Sequence, residues 1–203
     1  MAPEGASDPM QIVCRTLDAA IALHRRVRSN DLSAVVRAAE IVVASLKSGG
    51  KVLAFGNGGS AADAQHFVAE LVGRFQRDRT GFAAVALTTD TSVLTSVAND
   101  YGFERIFARQ IEAIGRPGDV SVAISTSGES PNVVAGVEAA TRHGLRTIAL
   151  TGRAGGRLGA AAEVHINVPD PTAARVQEVH CTLIHAICEI VESLITDHSS
   201  LNP

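Results

Sequence analysis

A doubly wound, five-stranded parallel sheet flanked by helices is the α/β fold class that three features of this 203-residue sequence predict. Short apolar runs of strand length recur from Lys51 onward, each ends in a loop rich in Gly, Ser, Thr or Asp, and each loop leads into a helical stretch. Two of the runs, Val120-Ser121-Val122-Ala123-Ile124 and Thr147-Ile148-Ala149-Leu150, are too apolar on both sides for a half-exposed antiparallel sheet. Strands covered on both faces and alternating with helices point to an open parallel sheet.

The elements follow in order. Residues 9–48 predict a helical arm of two helices, parted near Ser29-Asn30-Asp31, where Asn and Asp supply cap chemistry, and closed by Gly49-Gly50. The α/β core takes about 51–196, and the length suits one domain over 1–203. Its strands are expected at Lys51 to Phe55, Ala83 to Leu87, Val120 to Ser125, Arg146 to Thr151 and Val164 to Val168. The last helix, about Thr172 to Thr196, carries Val176, Val179, Leu183, Ile184, Ile187, Ile190, Val191, Leu194 and Ile195 around most of its circumference. Such a helix is buried on several sides, in a core or between subunits, and together with the arm it favours self-association. Only a few residues at each end read as tails.

Composition excludes several classes of function. With 46% hydrophobic and 19% charged residues the chain can build a large core and is not a disordered protein. A net charge of -3, with Lys only at 47 and 51 and no basic run, leaves no electrostatic footprint for nucleic acid or an anionic membrane. Aromatics at 3%, with no Trp and one Tyr, cannot supply base-stacking platforms. No apolar run reaches the length of a membrane span, and no basic segment before Arg15 suggests a secretory signal. Cys14, Cys181 and Cys188 form an odd set without CxxC spacing, so structural disulfides are not expected and a reducing cytoplasm fits. The partner is a small molecule or another copy of the chain.

Two loops and two helices carry the polar residues that a core does not need. Phe55-Gly56-Asn57-Gly58-Gly59-Ser60 joins the first strand to a helix beginning near Ala61, and its glycines let backbone amides approach an anion at the helix N-terminus. It lacks the third glycine of a dinucleotide fingerprint and the G-K-[ST] of a Walker loop. Ser125-Thr126-Ser127-Gly128-Glu129-Ser130 follows the strand ending at Ile124 and precedes a helix starting near Pro131. Its four hydroxyls and its amides suit phosphate without a lysine. His66 and Glu70, one turn apart on the helix leaving the glycine loop, can share a metal or act as an acid/base pair, or simply lie on a solvated face. Gln177, Glu178, His180 and His185 interrupt the apolar surface of the last helix, and buried polar groups need partners.

With Ala64-Gln65-His66-Phe67, Ala98-Asn99-Asp100-Tyr101-Gly102 and Arg175-Val176-Gln177-Glu178-Val179-His180 added, these motifs resemble, over about residues 10–196, the phosphoheptose isomerase family of the sugar isomerase (SIS) fold. The resemblance implies a cytoplasmic, zinc-dependent homotetramer that converts sedoheptulose 7-phosphate to D-glycero-D-manno-heptose 7-phosphate, the first step toward nucleotide-activated heptose. It implies metal ligands at His66, Glu70, Gln177 and His185, with Glu70 and His185 exchanging protons with substrate. It further implies that Asn57, Gly58, Gly59, Ser60, Asn99, Asp100, Ser125, Thr126, Ser127 and Ser130 hold the sugar phosphate together with Glu70 and Gln177, with Arg74 near the site. Gln177 and His185 are eight residues apart, about 12 Å along a helix, so they share one ion by leaning toward it or from different subunits, and His180 is the alternative ligand.

Two other readings compete. A DnaA-binding replication-initiation factor of the same fold is similar in its loops and acts as a tetrameric interaction protein, but the positions matching Glu70 and His185 there cannot transfer protons. A sugar-phosphate-sensing regulatory module would be expected to carry a DNA-binding domain or a basic patch, and neither is present in the sequence.

Overall fold

The computed structural model describes residues 8–196, and the expected tails lie outside them. The arm consists of α1 (Pro9–Arg28) and α2 (Ser33–Lys47). Asp8 caps α1 by accepting a hydrogen bond from the Met10 amide, and the break at Ser29–Leu32 falls where the Asn-Asp pair predicts it. The core follows as β1 (Val52–Gly56), α3 (Gly59–Val72), β2 (Ala84–Ala86), α4 (Thr91–Tyr101), a 3-10 turn at Phe103–Arg105, α5 (Ile106–Ile114), β3 (Val120–Ser125), α6 (Pro131–Arg142), β4 (Arg146–Gly152), α7 (Gly156–Ala161), β5 (Val164–Val168) and α8 (Ala173–Thr196).

The five strands are all parallel, in the order β2-β1-β3-β4-β5. Every residue of the central strands β1 and β3 is buried, as their two-sided apolar character requires. The edge strand β5 alternates buried Val164, Ile166 and Val168 with half-exposed His165 and Asn167. Strand alternation divides the core in two. Val52, Ala54, Val122, Ile124, Ile148 and Leu150 meet α1, α2, α3 and α8 on one face, while Leu53, Phe55, Ala123 and Ala149 meet α5, α6 and α7 on the other.

The last helix settles into the first of these cores. Val176, Val179, Leu183, Ile184, Ile187, Cys188 and Val191 of α8 are buried against α1, α2 and α3 of the same chain. Six of the nine apolar residues named for α8 are thus internal packing, while Ile190 and Ile195 are partly buried and Leu194 is exposed. An exposed apolar row lies instead on α1, where Met10, Val13, Leu17 and Ile21 recur at helical spacing and are each about half exposed. Cys14, Cys181 and Cys188 are free thiols.

Candidate active site

The strand order reverses between β1 and β3, and in open parallel sheets ligands bind outside the carboxyl ends of the strands at such a point. The glycine loop leaves β1 there and the hydroxyl loop leaves β3 beside it. A reciprocal amide pair ties the two together: Asn57 Nδ2 donates to Asn132 Oδ1 at 2.8 Å and Asn132 Nδ2 to Asn57 Oδ1 at 2.9 Å. Gly58, at φ +54°, turns the chain directly into α3, which starts at Gly59, two residues earlier than the sequence suggests. In the second loop, Ser130 precedes α6, yet its hydroxyl does not cap that helix. It lies 3.0 Å from Ser125 Oγ, which is in turn 3.3 Å from Ser127 Oγ. Three hydroxyls thus gather at one helix N-terminus, where amides and dipole favour an anion.

The second part of the site lies where α3 and α8 run side by side. The side chain of Gln177, in the first turns of α8, packs directly on Gly59, where no Cβ could fit without displacing it. Farther along, His66 Nε2 is 3.0 Å from Glu70 Oε1 and 3.2 Å from His185 Nε2. The imidazoles meet edge to face, with centroids 4.8 Å apart, and the Phe75 ring lies tilted against His185 at 5.4 Å. Cys181 Sγ is 3.8 Å from His66 Nδ1 and 4.0 Å from His185 Nε2. Burial, then the charges of Asp63 and Glu70, push the Cys181 thiol pKa up. Burial likewise raises Asp63, against the opposing pull of His66. Taking one donor atom each, His66, Cys181 and His185 lie within 4.8 Å of one another, so this nitrogen and sulfur set can hold a metal ion.

The chain is similar to known proteins over most of its length. The SIS domain family matches residues 17–152. The phosphoheptose isomerase of Roseiflexus sp. (strain RS-1) is 52% identical over 176 residues, covering 87% of this chain and 89% of that one. That of Bordetella avium (strain 197N) is 56% identical over 161 residues, covering 78% and 82%. The chain belongs to the phosphoheptose isomerase family. The solved phosphoheptose isomerase of Neisseria gonorrhoeae superposes with a TM-score of 0.87 at 46% identity, over 92% of this chain and all of that one.

Of the residues expected from the phosphoheptose isomerase resemblance, the fold brings several together and leaves others apart. His66, Glu70 and His185 form one hydrogen-bonded group, and Asn57, Ser125, Ser127 and Ser130 belong to the linked loops. Ser60 is buried in the first turn of α3, and Thr126 is half buried in the hydroxyl loop. Asn99 and Asp100 are exposed near the end of α4 and bonded to each other at 2.7 Å, and Arg74 is exposed just beyond α3. Among the described residues no hydrogen bond joins these three to the cluster.

The alternative ligand His180 is engaged elsewhere: it is fully buried, its Nε2 is 3.0 Å from the Thr151 carbonyl oxygen, and burial lowers its pKa to about 4. Glu178 is paired with Arg175. Both lysines are engaged away from the loops, Lys51 with Asp119 at the amino ends of β1 and β3 and Lys47 with the Leu194 carbonyl. Sequence reasoning overlooked Cys181 as a site residue. Its signal was the four-residue spacing Gln177, Cys181, His185, which puts all three on one helix face.

Proposed function

We propose that this chain is the isomerase that converts sedoheptulose 7-phosphate to D-glycero-D-manno-heptose 7-phosphate through an enediol(ate), at the entry to nucleotide-activated heptose. The observation that carries this reading is the Glu70, His66, His185 group on helices that begin at an anion-suited crevice. His66 lies seven residues beyond Gly59, about 10 Å along α3, which suits a sugar with phosphate at one end and the reacting carbonyl at the other.

Glu70 takes the proton from C1 and returns it to C2, and His185 moves the proton between the C1 and C2 oxygens. The hydroxyls of Ser125, Ser127 and Ser130, with Ser60, Thr126 and the amides of Gly58 and Gly59, grip the phosphate, and that remote binding positions the reacting carbons. A zinc ion, for which the resemblance offers His66, Glu70, Gln177 and His185, would stabilise negative charge on the enediolate oxygens. The donor chemistry fits such an ion: imidazole nitrogens and a thiol within 4.8 Å, with a carboxylate beside them. A Schiff-base route is disfavoured because neither lysine is near these residues.

We take arm and core as one domain, since Leu23 and Val27 of α1 and Ile41 and Val42 of α2 belong to the same core as the sheet. A homotetramer would cover the apolar row of α1 and would allow Arg74, Asn99 and Asp100 to complete a site with another subunit. No helix among the described residues is long and apolar enough to cross a membrane, and a cytoplasmic location suits a sugar-phosphate substrate.

The test is to incubate the purified protein with sedoheptulose 7-phosphate, as isolated, after chelation and after adding zinc, and to follow aldose phosphate by NMR. Turnover abolished by chelation and restored by zinc is expected. A folded protein that binds the sugar phosphate without turning it over would instead support the interaction-protein reading.

A further inference from the structure

A thiol occupies the middle of the row Gln177, Cys181, His185 and faces His66 across the seam between α3 and α8. Gln177 is eight residues from His185, about 12 Å along the helix axis, and its amide is packed on Gly59. Cys181 is one turn from His185 and shares a 4.8 Å circle with both imidazoles. We propose that in this chain Cys181 is a direct ligand of the metal held by His66 and His185, taking the place that the family resemblance gives to Gln177. The proposal rests on the metal-assisted reading above.

Distances and charge support it. Bond lengths of about 2.0–2.1 Å to nitrogen and 2.3 Å to sulfur in a tetrahedral site put nitrogens about 3.3 Å apart and nitrogen and sulfur about 3.6 Å apart. The two Nε2 atoms are already at 3.2 Å, and Sγ is at 3.8 and 4.0 Å from its ring partners. Sγ meets His66 through Nδ1 whereas His185 meets it through Nε2, so a turn of the His66 ring or a swing of Sγ about its Cα–Cβ bond makes a one-ion site. Asp63 and Glu70 add negative charge around the cluster, in favour of a bound cation. On coordination the S–H bond breaks, its proton passes to solvent, and a sulfur–metal bond forms. Thiolate ligation also sets the preference of the site: zinc and cobalt over magnesium and manganese.

The experiment strips the full-length protein with a chelator, titrates it with cobalt(II), and reads the near-ultraviolet thiolate-to-cobalt charge-transfer band. The band is expected in the parent chain, in Gln177→Ala and in Cys14→Ser, and absent from Cys181→Ala and Cys181→Ser. The serine variant keeps the side-chain shape should alanine disturb folding, which circular dichroism checks. Zinc affinity, measured by chelator competition, should fall about tenfold or more in Cys181→Ser. Cobalt uptake without the band, or a band that survives Cys181→Ser, overturns the thiolate ligand while leaving the metal reading intact. A folded, stripped chain that takes up no cobalt overturns both.

Discussion

Helix α8 presents two polar clusters to the neighbourhood of α3, and they differ in how completely their hydrogen bonds are satisfied. At its C-terminal end the Glu192 carboxylate, 3% exposed, accepts from the amides of Phe75, Gln76 and Arg77 and from Arg79 Nε at 2.8–3.0 Å. Arg79, 5% exposed, also donates to the backbone carbonyls of Leu71 and Glu70, closing the end of α3. Two to three turns earlier, His185 lies 3.2 Å and Cys181 3.8 Å from His66, and Cys181 is 4.0 Å from His185, contacts that are looser than the carboxylate's. A satisfied buried cluster fixes structure, whereas a loosely satisfied cluster of titratable groups leaves capacity for a ligand. The two are coupled, because Arg79 holds the backbone of the residue whose side chain we propose as the base.

The comparison can be broken most severely at the loose end. Glu70→Gln should lower kcat by about 10²-fold or more while the circular dichroism spectrum and sugar-phosphate binding stay near those of the parent. His185→Gln should lose about 10²-fold as well, and near-parental turnover in either variant would remove that residue from the chemistry.

The satisfied end should respond in stability instead. Glu192→Ala leaves Arg79 buried without its partner and should cost about 3–5 kcal/mol in urea unfolding. The same residue predicts a pH dependence. Burial pushes the Glu192 pKa up, but the Gln76, Phe75 and Arg77 amides and the Arg79 cation together hold it below the usual carboxylate range. Ionised Glu192 therefore stabilises the fold above the ordinary carboxylate pKa, and that contribution disappears as pH falls through the lower folded value. The stability gap between parent and Glu192→Ala should be full near neutrality and should shrink as pH falls below the ordinary carboxylate range. A gap that does not vary with acid would show that charge is not what Glu192 contributes.

The smallest effect is expected at the hydroxyl loop, where several groups share the anion. Ser127→Ala should weaken sugar-phosphate binding by about fivefold, on the order of 1 kcal/mol, with kcat nearly unchanged. An unaltered affinity, measured calorimetrically with a substrate analogue, would take that hydroxyl out of the phosphate grip.

Much of the fold and of the site is legible in the sequence. The apolar runs at Val120–Ser125 and Val164–Val168 give those strands their observed limits, and the Asn30-Asp31 break and Pro131 start fall where cap and proline chemistry put them. Less legible was what α8 packs against. An apolar girdle around a helix states only that it is enclosed, and the same residues would serve a core or an interface. Cys181 was also easy to pass over despite its spacing from Gln177 and His185, because a cysteine on a largely apolar helix reads as one more small apolar residue.

The sequence by itself determined the parallel α/β sheet, the two anion-suited loops and the one-turn spacing of His66 and Glu70, because these depend on local periodicity, backbone chemistry and cap residues. Only the tertiary structure decided that β1 and β3 are neighbours, that α3 and α8 run side by side, and that His66, 119 residues from His185 in the chain, meets it at 3.2 Å. It also turned His180 toward the Thr151 carbonyl while Cys181, the next residue, faces the imidazoles. Successive residues on a helix point about 100° apart, so which one reaches a site is fixed by how the helix is rolled against its neighbours. That roll is set by burying Val176, Val179, Ile184 and Val191, a condition on the whole core that no local motif contains.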